Sequence, residues 1–251
     1  MDELEWLNKI CKKLLLSNLY EMVKELEEEP QTQDISKLEY LKLLLEYEYE
    51  QRNIKKATRR LKNANFPKIK SIESFDFKKS PGIQEAKIKN LLQCDFIDTA
   101  SPIILLGEPG TGKTHLATAL GYAAANLGHS VKFVTASKLA NDLVEARDAY
   151  KLSNLLNRYS KVKLLIIDEL GYLPLGRTDA ELLFQVISDR HELLPLIITT
   201  NLPFNEWTNI FVDKRLCRAL IDRVTHNANI IDTGITSVRL FETLKKQKAG
   251  K

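Results

Sequence analysis

The chain has 251 residues, 44% hydrophobic and 28% charged, with a net charge of +4. That length holds one large or two smaller domains and buries a substantial core, and the composition is ordinary for a globular protein. No apolar run approaches the ~18 residues that cross a membrane. The acidic start Met1-Asp2-Glu3-Leu4-Glu5 lacks the basic-then-apolar order of a signal peptide, so a cytoplasmic location is expected. Cys11, Cys94 and Cys217 are odd in number and too widely spaced for a metal knuckle, which predicts reduced, buried thiols. His115, His129, His191 and His226 are not expected to form a metal-ligand cluster.

The first ~65 residues read as helices. Leu15, Leu19, Met22 and Leu26 recur at helical spacing up to Glu29-Pro30. A second helical pattern starts near Ser36, an N-cap whose capping box Glu39 completes, and runs through Tyr40, Leu44, Tyr47, Ile54, Ala57, Leu61 and Ala64. Phe66-Pro67 breaks it. The expected domains are a helical one over residues 1–66, a linker over 67–82 and an α/β domain over 83–251.

From Ile83 helices alternate with short apolar strands. A helical stretch (Ile83–Ile97) precedes strand Ile103–Leu106, and a helix follows from Lys113 to about Leu127. Strand Val131–Thr135, a long helical stretch Ser137–Tyr159 and strand Leu164–Ile167 come next. A helix from about Asp179 to Glu192, strand Leu196–Thr200, helix Lys214–Val224 and a last strand near Ile230-Ile231 complete the pattern. Strands this apolar on both faces imply a five-stranded parallel sheet covered by helices.

Two strings carry chemistry. Gly107-Glu108-Pro109-Gly110-Thr111-Gly112-Lys113-Thr114 fits the phosphate-loop pattern G-x-x-x-x-G-K-[ST], between a strand and a helix as that loop requires. Its glycines let backbone N–H groups converge on phosphate oxygens, and the helix N-terminus adds partial positive charge. Lys113 would reach the β/γ-phosphates and Thr114 would ligate Mg²⁺; the candidate nucleotide-binding set runs on to His115. The strand Leu164–Ile167 then ends in Asp168-Glu169. Asp168 would complete the Mg²⁺ shell and Glu169 would orient or deprotonate the attacking water, which favours ATP hydrolysis over transfer to a small-molecule acceptor. On the strand ending Thr199-Thr200-Asn201, either Asn201 or Thr200 could hold the lytic water or the γ-phosphate, or the polar end could simply form a turn before Leu202-Pro203.

These strings at these spacings resemble the AAA+ ATPase core. Several resemble more specifically the IstB-type insertion-sequence ATP-binding proteins, relatives of the DnaC helicase loader and the DnaA initiator. They are Gly112-Lys113-Thr114-His115-Leu116-Ala117, Asp168-Glu169-Leu170-Gly171-Tyr172-Leu173-Pro174, Leu182-Leu183-Phe184-Gln185-Val186-Ile187-Ser188, Pro203-Phe204-Asn205-Glu206-Trp207 and Leu220-Ile221-Asp222-Arg223-Val224-Thr225-His226. The similarity also takes in the N-terminal helices and Phe75-Asp76-Phe77, and so covers nearly the whole chain. The resemblance implies a P-loop AAA+ core behind a small all-α N-terminal domain, and a homo-oligomer with ATP sites between subunits. It also implies a duplex-DNA-bound assembly that assists a transposase. The match at Asp222-Arg223 makes Arg223 the first choice for an arginine finger given to the neighbouring subunit, with Arg215 and Arg218 as rivals. Only Thr233–Lys251 follow the last strand, so the helical lid common in AAA+ proteins is expected to be absent or very short, with Arg239 the sole candidate sensor.

Residues 51–70 hold Arg52, Lys55, Lys56, Arg59, Arg60, Lys62, Lys68 and Lys70 without an acidic residue. On a helix, positions 52, 55, 56, 59 and 62 share a face opposite Ile54, Ala57 and Leu61, a stripe suited to a phosphate backbone. Contacts mainly to phosphates are expected from Arg52, Lys55, Lys56, Arg59, Arg60 and Lys62. Lys138, Arg147 and Lys151 are further DNA candidates, because the Ser137–Tyr159 stretch occupies the place where initiator-type relatives carry a helix facing a DNA channel. The competing readings are a DnaC-like helicase loader and a phosphate-loop kinase.

Overall fold

The structure is a computed structural model that describes residues 2–28, 35–172, 176–209, 211 and 213–235. The chain divides into two compact units, Met1–Arg59 and Arg60–Lys251.

In the first unit, α1 (Glu3–Lys13) opens with Glu3 and Glu5 and closes with Lys12 and Lys13, charges that oppose the helix dipole. Helix α2 (Ser17–Glu28) and the first part of α3 (Lys37–Ala64) complete a small core of Cys11, Leu19, Val23, Leu26 and Leu44. The expected capping box forms: Ser36 N donates to Glu39 Oε2 at 3.1 Å and Glu39 N to Ser36 Oγ at 3.2 Å. Leu15 does not join the core as its spacing suggested. It takes φ 58° between α1 and α2 and is 76% exposed. Ile54, expected on an apolar backing stripe, is 56% exposed. Glu48 is buried beside the start of α2, where it accepts Leu19 N at 2.8 Å and Arg52 Nε at 2.6 Å. Burial pushes its carboxyl up, but the hydrogen bonds from Arg52, Leu19 and Asn18 and the Arg52 charge outweigh it and leave the group below its ordinary value.

The second unit is a parallel sheet of β1 (Ile103–Leu106), β2 (Val131–Thr135), β3 (Leu164–Leu170), β4 (Leu196–Thr200) and β5 (Asn229–Asp232), in the order β2-β3-β4-β1-β5. Strand residues alternate between two cores. Ile103, Leu105, Leu164, Ile166 and Ile197 meet α4 (Glu85–Leu91) and α5 (Lys113–Asn126) on one face. Ile104, Leu165, Ile167 and Ile198 meet α6 (Ala136–Asp148), α8 (Arg177–Arg190) and α9 (Lys214–Thr225) on the other. This double burial is what the unbroken apolar strands require.

Three expectations change. The Ser137–Tyr159 stretch is two helices, α6 and α7 (Leu152–Ser160), parted at Tyr150 with φ 56°. The Ile83–Ile97 stretch keeps only α4 as α-helix, because Cys94 takes φ 67° ahead of a 3₁₀ turn at Asp95–Ile97. The 67–82 segment is folded into the second unit instead of linking two: Ile72, Phe75 and Phe77 pack on its core. All three cysteines are free and buried. Arg239, and with it the expectation about a lid, lies outside the described residues.

Buried Arg190 ties the sheet's entry loops together. Its guanidinium donates to the carbonyls of Tyr159, Val162, Lys163 and Pro195 at 2.9–3.1 Å. Burial pulls its pKa down to about 10, so it stays charged at neutral pH.

Candidate nucleotide-binding and catalytic site

The order β2-β3-β4-β1-β5 sets β4 between the strand that enters the phosphate loop and the strand that ends in the acidic pair. The polar ends of all three strands therefore share one carboxyl edge, the usual ligand position in an open α/β sheet. A cleft of about 540 Å³ opens there, lined by Pro109, Gly110, Gly112, Lys113, Thr114, His115, Glu169 and Asn201 among others.

The loop is held in its turn by backbone demands that only glycine meets. Gly107 takes φ 147°, and a Cβ there would stand 2.3 Å from Thr233 Oγ1; Gly112 takes φ 100°, and a Cβ there would stand 2.7 Å from the Phe75 ring. Beyond β5, Gly234 O accepts Glu108 N at 3.0 Å, and the Thr233 and Thr111 hydroxyls meet at 2.5 Å. Lys113 Nζ donates to Gly107 O at 2.5 Å and Glu108 O at 2.8 Å, so its ammonium stands inside the curve of the loop.

Thr114, at the start of α5, donates to Asp168 Oδ1 and Oδ2 at 3.1 and 3.2 Å. Burial raises the Asp168 carboxyl, against the hydrogen bonds of Thr199 and Thr114 and the charge of Lys113. Hydroxyl and carboxylate are hard oxygen donors at one point, a set that fits Mg²⁺. Glu169 is exposed to the cleft in a left-handed backbone conformation, φ 60°. Its N–H donates to Thr199 Oγ1 at 2.9 Å, and the same hydroxyl donates to Asp168 Oδ1 at 2.5 Å. One side chain of β4 thus fixes both members of the acidic pair. The sequence expectation fell on Thr200 and Asn201, the residues that follow Thr199. Both Thr200 and Asn201 line the cleft, and the Thr200 hydroxyl is also engaged by the turn, accepting Leu202 N at 3.1 Å.

The 70–80 segment supplies a wall of the cleft that was not expected: Lys70, Ser74, Phe75, Asp76 and Ser80. His115 is bound to it, with Nε2 3.0 Å from Ser71 O and 3.2 Å from Ser74 Oγ, and its ring stands edge-on to Phe75. Burial lowers the His115 pKa, as does the charge of Lys70, while the Ser71 carbonyl raises it. The aromatic pair in Phe75-Asp76-Phe77 was the available signal, since a true linker has no use for two phenylalanines.

Arg223 stands apart from the cleft. It donates to Ala219 O at 3.1 Å, lies 5.0 Å over the Phe184 ring, and lines a separate shallow recess with His191 and Glu192. Arg215 and Arg218 are exposed on the same helix. Of the basic candidates on α3, Lys55, Lys56, Arg59 and Lys62 are exposed, and Arg52 and Arg60 are half-buried. Arg52 is engaged by Glu48 and the Leu15 carbonyl, Lys55 by Asn18 Oδ1 at 2.5 Å, and Arg60 by Ala125 O at 3.0 Å. Lys138 pairs with Asp142 and Arg147 with Asp148; Lys151 is exposed. The histidines depart from expectation: His191 and His226 stand together with Glu192.

The chain resembles solved replication proteins in fold. The AMPPCP-bound DnaA from Aquifex aeolicus superposes with a TM-score of 0.56 at 23% identity, over 72% of this chain and 55% of that one. DnaI does so with a TM-score of 0.56 at 20% identity, over 65% and 90%. Closer relatives in sequence are the ATP-binding protein assigned to insertion sequence IS21 of Pseudomonas aeruginosa, 36% identical over 100% of this chain and 92% of the relative, and that of IS5376 of Geobacillus stearothermophilus, 38% identical over 95% of each. The family model for IstB-like ATP binding proteins matches residues 9–247. With a phosphate-loop α/β core and that near full-length match, the chain belongs to the IstB-like ATP binding protein family.

Proposed function

We propose that the chain is a Mg²⁺-dependent ATPase that assembles on duplex DNA and assists a partner transposase, in the cytoplasm. The observation that carries the reading is the convergence of Thr114, Asp168 and Glu169 on one point of the sheet edge beside Lys113. Thr114 and Asp168 would hold Mg²⁺, which neutralises charge on the triphosphate. Lys113, inside the loop, would turn to the β/γ-phosphates. Glu169 faces the cleft, where it can take a proton from water, and Asn201 stands at the neighbouring strand end to orient that water. Arg223, or Arg215 or Arg218, would enter the site of the next subunit in a homo-oligomer. The placement of all three outside their own cleft supports that role.

The names of the relatives tie them to insertion sequences, which supports a transposase as partner. For DNA, the exposed Lys56, Arg59 and Lys62 are the strongest of the proposed phosphate contacts, with the N-terminal helices 1–66 as the DNA- and partner-binding part.

The test is Glu169→Gln, measured for ATP binding, turnover and retention on duplex DNA. ATP binding with turnover reduced by about 10²-fold or more, and a trapped DNA complex, are expected. Full turnover would remove Glu169 from the chemistry. Duplex binding unchanged by charge reversal at Arg52, Lys55, Lys56 and Arg59 would favour a helicase-loader role.

A further inference from the structure

Outside the cleft, two helix ends bring together three side chains of metal-ligating type. His191 is the C-cap of α8 and His226 the C-cap of α9, two helices that share the same core. The two imidazole rings stand 5.6 Å apart, edge to face. Glu192 reaches both: its Oε1 is 3.9 Å from His191 Nε2 and 3.5 Å from His226 Nδ1. One ligand atom from each of the three lies within 4.8 Å of the other two.

Two further features support a cation here. Each helix C-terminus carries roughly half a negative charge, and here two such ends converge. Glu192 takes φ 60°, a left-handed conformation uncommon for a residue with a Cβ. In an extended chain the side chains of neighbouring residues point to opposite sides. The left-handed turn instead keeps the Glu192 carboxylate on the side of His191.

We propose that His191, Glu192 and His226 form a three-ligand site for a divalent transition metal, with zinc the best match. Two imidazoles and a carboxylate are a zinc set, and the fourth tetrahedral position is left for water or a group from another molecule. With bonds near 2.0–2.1 Å, tetrahedral ligand atoms stand about 3.4 Å apart. The 3.5 Å pair already meets that spacing, the 3.9 Å pair needs about 0.5 Å of closure, and the two imidazoles, within 4.8 Å, need up to about 1.4 Å, from side chains exposed at Glu192 and His226 and half-buried at His191. Mg²⁺ prefers oxygen donors and is excluded by the imidazoles. Bound metal would staple the end of α8 to the end of α9, the helix that carries Arg215, Arg218 and Arg223. This site stands whether or not those arginines act on ATP.

The test uses untagged full-length chain, stripped of metal by a chelator and kept free of nucleotide. Calorimetric titration with zinc is expected to give one ion per chain, unaffected by excess Mg²⁺. Cobalt should give the visible bands of a tetrahedral site without a thiolate charge-transfer band, which separates it from the three cysteines. Glu192→Gly removes a ligand while relieving the left-handed backbone, so it folds at least as well as the parent. It should weaken zinc at least about tenfold, or ~1.4 kcal/mol. The pair His191→Gln with His226→Gln should abolish the site, and zinc should raise Tm in the parent only. Absence of one-to-one zinc binding, or binding unchanged in either variant, overturns the proposal.

Discussion

The phosphate-loop edge and the basic face of α3 both announce themselves as charge-handling surfaces, yet they are built differently. The loop is made of backbone: Gly107 and Gly112 hold conformations that a Cβ would break, and Thr233, Thr111 and Thr199 fix the geometry around it. The α3 face is made of long side chains, and folding has already engaged part of it. Arg52, Lys55 and Arg60 hold local partners, which leaves Lys56, Arg59 and Lys62 outward. A site encoded in backbone demands is read from a short string. A cationic run is an upper bound on what is available to a ligand.

The largest expected effect breaks the first of these regions at one atom. Thr199→Val keeps the shape and removes the hydroxyl that fixes Asp168 and the Glu169 N–H. Turnover should fall by about 10²-fold, ~2.7 kcal/mol, with nucleotide affinity changed far less, and Thr199→Ser should restore most of it. An equal loss in binding would make Thr199 a folding residue only.

A smaller effect sharpens the contrast within α3. Lys56→Glu with Arg59→Glu should weaken duplex-DNA binding by about tenfold and flatten its salt dependence, with no change in Tm. Arg52→Ala should instead cost about 1 kcal/mol of stability in the first unit and affect DNA less. The opposite pattern, read from binding isotherms and melting curves, would return Arg52 to the DNA face.

The smallest effect concerns pH. The Glu48 carboxyl lies below its ordinary value in the folded chain, so it stabilises the first unit fully above about pH 4.5. That contribution, about 1 kcal/mol, is lost as pH falls through the depressed folded value. Glu48→Gln should be less stable at pH 7 and should flatten the acid limb of an unfolding curve followed by circular dichroism.

The same contrast explains what was legible. The strands, the loop and Asp168-Glu169 were readable because each is local and periodic. The breaks at Leu15, Cys94 and Tyr150 were not, because a left-handed residue other than glycine leaves no mark in sequence. The cleft wall at Phe75 and the pairing of His191 with His226 arise from packing between elements far apart in the chain. Thr199 lay in plain view on β4, but its importance depends on the strand order, which sets β4 beside the acidic pair.

The clasp beyond β5 gives the loop a mechanical side. Gly234 O and the Thr233 hydroxyl grip the backbone and side chain of the loop where the chain leaves the sheet. Thr233 and Gly234 are therefore moored at the phosphate loop. A pull on the end of β5 would be felt first at the phosphate loop, and a shift of the loop would be felt at Thr233 and Gly234 in return.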